Sequence, residues 1–205
     1  MSLSIRQVKF ILEKENCRMI ITESAIREET HPSDNYYQLI EVDGEWEHSL
    51  KVNERTNQPE KREIKRFETE TEGAKYFLLN RLLSCYNNIC VYAAAGALSE
   101  APTITEMKEA LTREGVSSDK LQYQERDVKN TYILVNKVDE EHVILSLYVD
   151  GMEMESSIPL RNRRGLGIAF MKAFLLDLFE KKVEPIFKRE NIPYGQDDLV
   201  TFVFS

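Results

Sequence analysis

The triplet Phe-Leu-Leu stands at residues 77–79 and again at 174–176, each time inside an apolar run of helical character, "YFLLNRLL" and "AFLLDLF". One such run constrains little, but this pair brings its surroundings with it. Ser4 followed by Gln7, and Thr103 followed by Glu106, both fit the capping box, in which two side chains reciprocally satisfy free backbone donors at a helix start. Behind each box the apolar positions answer one another at helical spacing: Ile5 with Ile104, Val8 with Met107, Leu12 with Leu111. Asn16 and Gly115 follow the two predicted helices, and these residue types best tolerate left-handed backbone. The chain therefore reads as one helix-bounded pattern written twice.

Between the helices lie "YYQLIEVDGEWEHSLKV" and "TYILVNKVDEEHVILSLYV", both hairpin-like. Tyr37 and Leu39 answer Tyr132 and Leu134, while Ser49, Leu50 and Val52 answer Ser146, Leu147 and Val149. Asp43-Gly44 and Asp150-Gly151 predict tight turns between strands. The fold class that follows is α+β, in two tandem α-β-β-(β)-α units, each an antiparallel sheet covered by helices. Residues 1–98 form the first unit, 99–190 the second, and 191–205 a C-terminal tail in which Leu199 to Phe204 predicts an edge strand. One continuous α+β domain is the alternative reading of the same pattern.

A chain of 205 residues with 42% hydrophobic content carries a proper core in either case. Its 27 Lys and Arg against 35 Asp and Glu leave a charge of -8, which repels phosphate backbones and anionic bilayers, so neither nucleic acid nor membrane is the expected partner. Cys17, Cys85 and Cys90 form no C-x-x-C pair and predict reduced thiols in a cytoplasmic protein, Cys85 and Cys90 as small buried hydrophobes. The N-terminus lacks the apolar core of a secretory leader, and no window reaches the roughly 18 apolar residues of a membrane span. The nearest, "ICVYAAAGAL" at 89–98, reads as a close-packed helix end or linker.

The chain offers few signs of chemistry. His31, His48 and His142 have no partner at metal-ligand spacing, so no metal is expected, and no cofactor either. The serine-hydrolase and P-loop signatures do not occur. Glu13, Glu15, Glu23, Glu28 and Glu29 read as solvated faces. The sharpest segment is "LRNRRGLGIAF", where two glycines permit close backbone approach and Arg161, Arg163 and Arg164 bring charge to a helix N-terminus, a combination suited to phosphate oxygens. Over about 20 residues it is similar to the pyrophosphate-binding turn of acetyl-CoA-dependent acetyltransferases, R/Q-x-x-G-x-G/A between a strand and a helix. Gly165 and Gly167 match, while Asn162 stands where that family has Arg or Gln. The resemblance implies an N-acetyltransferase-like enzyme holding its coenzyme with Arg163, Arg164, Gly165 and Gly167. The plain alternative is a solvent-facing basic turn.

The first half carries a second resemblance. A Tyr strand, Trp46-Glu47, Glu54-Arg55, then Phe67-Glu68-Thr69-Glu70 before a helix with Tyr76-Phe77-Leu78 resembles small proteins of bacterial toxin-immunity loci, over residues 35–83. It implies a non-catalytic inhibitor that binds a cognate toxin, and an acidic surface suits a basic toxin domain. The expectation is thus a cytoplasmic protein-binding module and not an enzyme. Its interface candidates are Asp43, Glu45, Trp46, Asp139, Glu140 and Glu141, with Tyr36, Tyr37, Tyr76 and Tyr123 as further aromatic anchors. A chaperone-like or structural dimer is the third reading.

Overall fold

The computed structural model describes residues 2–53, 60–97, 103–123 and 130–204, and of 88–97 the backbone alone. The chain divides into two compact units, Met1–Cys85 and Tyr86–Ser205. Glu54-Arg55, the side chain of Cys90 and the expected boundary at 98/99 lie outside the described residues.

The first unit opens with helix α1 (Ile5–Lys14) at its capping box: Ser4 Oγ accepts from Gln7 N–H, and Ser4 N–H donates to Gln7 Oε1 at 3.0 Å. Ile5, Val8, Ile11 and Leu12 turn inward. Asn16 then takes φ 63°, and the chain leaves the helix. A meander follows: β1 (Met19–Ile21), β2 (Ala25–Glu28), β3 (Tyr36–Val42), β4 (Glu45–Val52) and β5 (Glu60–Phe67), paired antiparallel in chain order. Asp43 at φ 54° and Gly44 at φ 85° make the two-residue turn whose twist suits a hairpin. Strand alternation sets Leu39, Trp46 and His48 on one face, and α2 (Glu70–Ala97) lies against it. That approach depends on Gly73, where a Cβ would stand 3.0 Å from Leu39 Cδ1 and 3.1 Å from Trp46 Cβ.

The cysteines depart from expectation. Cys17, just past α1, and Cys85 on α2 form a disulfide with sulfurs 2.08 Å apart, in place of reduced thiols. Sequence spacing hid the pair because 68 residues separate two positions that folding brings together.

The second unit repeats the opening. Helix α3 (Ile104–Arg113) starts at the Thr103–Glu106 capping box, and Gly115 follows it at φ 76°. After a 3-10 turn at Ser118–Lys120 come β6 (Leu121–Tyr123), β7 (Tyr132–Lys137), β8 (His142–Val149), β9 (Met152–Ser156) and β10 (Leu160–Arg161). The strand order is β10-β8-β7-β6, with β9 also on β8. Because β6 pairs with β7 in parallel, this sheet is mixed where an antiparallel one was expected. A three-residue strand carries too little alternation for sequence to fix its direction.

Helix α4 (Asn162–Leu178) covers this sheet and passes through a π-helical turn at Phe179–Val183 into α5 (Glu184–Arg189). The chain ends in α6 (Gln196–Phe204), a helix in place of the expected edge strand. Leu199, Phe202 and Val203 are buried at helical spacing, and Gly195 N–H donates to Asp198 Oδ2 at 2.9 Å at the helix start. A short apolar run bounded by Gly and Asp is the pattern that periodicity alone resolves worst. No helix among the described residues is long and apolar enough to cross a membrane.

Candidate interaction surface

Two hairpin tips carry the acidic candidates, one in each unit. In the first, Asp43 and Glu45 flank Gly44 and are exposed, with Glu45 Oε2 3.8 Å from Arg66 Nη1. Trp46, expected at an interface, is instead a core residue, 8% exposed and packed over Gly73. Alternation turns it inward as its neighbour Glu45 turns out. In the second unit Asp139, Glu140 and Glu141 are all exposed at the β7–β8 turn. Asp139 Oδ1 accepts from Glu141 N–H at 2.7 Å and His142 N–H at 2.8 Å, and His142 Nδ1 lies 3.0 Å away. These bonds, led by the Glu141 amide, hold the Asp139 carboxyl below its ordinary range and fix the turn. Of the aromatic anchors, Tyr36, Tyr37 and Tyr76 are half-buried and Tyr123 is exposed.

The fold sets this second tip beside the Gly/Arg segment. Arg161 pairs with His142, and Asn162 donates twice to the tip, from its backbone N–H to Glu141 O at 2.7 Å and from Nδ2 to Glu140 O at 2.5 Å. The first amide of α4 is thus engaged by the tip. Gly165 and Gly167 are not in a turn but inside α4. Gly165 is buried, and a Cβ there would fall well inside contact distance of Val143 Cγ2. Arg161, Arg163 and Arg164 face solvent.

A Gly165→Ala exchange is therefore expected to destabilise the protein by about 1–3 kcal/mol through overpacking, and Val143→Ala added to it should recover part of the loss. Urea unfolding of the two variants checks this. Unchanged stability in the single variant would free Gly165 from its packing role.

Sequence reasoning missed a buried polar cluster in the first unit. His48 on β4 is 2% exposed, and neither ring nitrogen has a hydrogen-bond partner. Tyr37 stacks on it with centroids 5.4 Å apart, and Tyr76 and Phe77 present edges at 5.0 and 6.0 Å. Burial, with the charges of Arg81 and Lys65, lowers its pKa to about 4, so the ring is neutral. Arg81, 3% exposed, lies 4.0 Å over the Tyr37 ring and pairs with Glu28 and Asn80 Oδ1. Glu28 is accordingly not the solvated carboxylate expected; it also accepts from Tyr37 N–H at 2.7 Å. A bulge in β5 opposite Ser49 holds Glu63 at φ 53°, and the Tyr37 hydroxyl donates to Glu63 Oε2 at 2.8 Å. Burial first, then this bond, pushes Tyr37 up to about 12. The cavity beside Glu28 and Arg81 holds about 210 Å³, below the roughly 300–1,000 Å³ of ligand pockets.

The cluster is thus a packed support for the sheet, whereas the acidic candidates at the two tips are exposed. Among the described residues no group of three or more His, Cys, Asp or Glu side chains converges to hold a metal ion. No family model matches this chain, and neither a curated protein nor a solved structure does so.

Proposed function

We propose that this chain is a non-catalytic protein-binding module whose hairpin tips present fixed carboxylates to a basic protein partner, as the toxin-immunity resemblance implies. The observation that carries the reading is the second tip: three consecutive acidic residues, all exposed, on a turn held by bonds to Asp139 and by Asn162. A rigid tip presents charge without the entropy cost of ordering a loop on binding. Carboxylates exposed in this way act mainly through steering and complementarity, so their contribution falls with salt. Asp139 holds the turn, whereas Glu140 and Glu141 are free to be reversed without dismantling it.

The test is isolation of the tagged protein from its own cells, followed by reconstitution with the purified partner. Glu140→Lys/Glu141→Lys is expected to slow association by about tenfold or more at low salt, with a smaller difference at high salt. A partner that binds wild type and variant at one rate, or no stoichiometric partner at all, removes the proposal.

A further inference from the structure

The second unit contains a groove of about 490 Å³ between β9, β10, α4 and α6, within the size range of small-molecule sites. Ile158, Leu160, Ile168, Val200 and Phe204 form the apolar part of its walls, Ser156, Ser157 and Thr201 add hydroxyls, and Lys172 of α4 is set among them. An ammonium in such surroundings needs partners. Among the described residues Lys172 Nζ makes one hydrogen bond, to Val203 O at 2.7 Å, and lies 3.7 Å above the Phe204 ring. The first contact satisfies a carbonyl in the last turn of α6, as cations commonly do at helix C-termini. The second is a cation–π contact. An ammonium has three N–H donors, so the two contacts leave it capacity for an anion.

Glu155 is the acidic residue that lines the groove, and it forms no ion pair with Lys172 among the described residues. Burial outweighs its charge and brings Lys172 down to about 8. The groove therefore joins apolar walls to a single cation of incomplete coordination, and this combination selects its ligand. A neutral apolar molecule would leave the cation as it is, and a multiply charged anion would desolvate charge against apolar walls and meet Glu155.

We infer that this groove is a binding site for a small apolar monocarboxylate, its carboxylate on Lys172 Nζ and its hydrocarbon against Ile168, Val200 and Phe204. The carboxylate supplies the ammonium with a charged acceptor, and the hydrocarbon removes apolar wall from water. Because a bound anion favours the charged amine, binding takes up a proton above the lysine's own pKa.

The probe is octanoate, titrated calorimetrically into the full chain at pH values above about 8, where Lys172 is largely neutral, in two buffers of different ionisation enthalpy. Saturable binding with proton uptake is expected, weakened about tenfold or more in Lys172→Met and retained in Lys172→Arg, which keeps the charge. Octanol is expected to bind wild type and Lys172→Met equally. If wild type shows no saturable octanoate binding, or if Lys172→Arg loses it as Lys172→Met does, the inference is overturned. Equal octanoate binding by wild type and Lys172→Met overturns it as well. Thermal unfolding of each variant establishes that a loss is not a loss of fold.

Discussion

Acidification from pH 6.5 to about 4 is expected to remove about 3 kcal/mol of folding stability through His48 alone. The ring is 2% exposed with both nitrogens unpartnered, so a proton added there would be a buried charge with no acceptor. In the unfolded chain the same ring titrates near its ordinary 6.5, and in the native protein near 4. Between those values the unfolded state binds the extra proton, and stability therefore rises with pH across the window. It is complete above 6.5 and declines as pH falls toward 4. The depressed carboxyls of Asp139 and Glu106 act in the same direction but at lower pH, since their stabilisation is lost only as they protonate. Denaturant unfolding at several pH values, on wild type and on His48→Phe, separates the two. The variant keeps an aromatic ring against Tyr37 and Tyr76 and should lose the slope across the histidine window. An unchanged slope in His48→Phe would assign the acid sensitivity to other groups.

Local rules read this chain well and spatial ones less so. Both capping boxes, the left-handed Asn16 and Gly115 and the turns at Asp43-Gly44 and Asp150-Gly151 form where the residue types required them. Each is settled by neighbours a few positions away. The correspondence between strands was less secure. Leu39 faces α2, whereas Leu134 pairs with Ser146 on the face opposite Leu145 and Val143, the face that meets α4 at Gly165. The matching of Tyr37 and Leu39 to Tyr132 and Leu134 was thus one residue out of step, and a one-residue slip exchanges the two faces of a strand.

Of the tip candidates, strand alternation kept Asp43, Glu45 and the three residues 139–141 outside and took Trp46 into the core. The disulfide, the parallel β6–β7 pair and the polar cluster all join residues through tertiary structure, beyond the reach of local pattern. One signal was nonetheless available. Arg81 in "YFLLNRLL" and Lys172 in "IAFMKAFLL" are single cations inside apolar helical runs, and a cation on a core-facing helix needs either an acid or an aromatic face to meet it.

Arg81 is where that requirement has its largest consequence. Glu28→Ala is expected to cost about 3–5 kcal/mol, because it strands a guanidinium that is 3% exposed beside Asn80 and the faces of Tyr37 and Phe77. The reverse exchange, Arg81→Met, should cost less: Glu28 has a side chain 24% exposed, so its carboxylate can regain water and still accept from Tyr37 N–H. Removing both charges leaves no buried ion without a partner, and Glu28→Ala/Arg81→Met should therefore be more stable than Glu28→Ala alone. A second readout ties this pair to the histidine. Arg81 is one of the two cations that depress His48, so in Arg81→Met the histidine should titrate closer to its ordinary value and the acid-dependent loss should be shallower than in wild type. Denaturant unfolding of the three variants at neutral and acid pH gives both quantities. If the double variant is no more stable than Glu28→Ala, or if Arg81→Met leaves the acid slope untouched, then the ion pair and the ring are not one cooperative cluster.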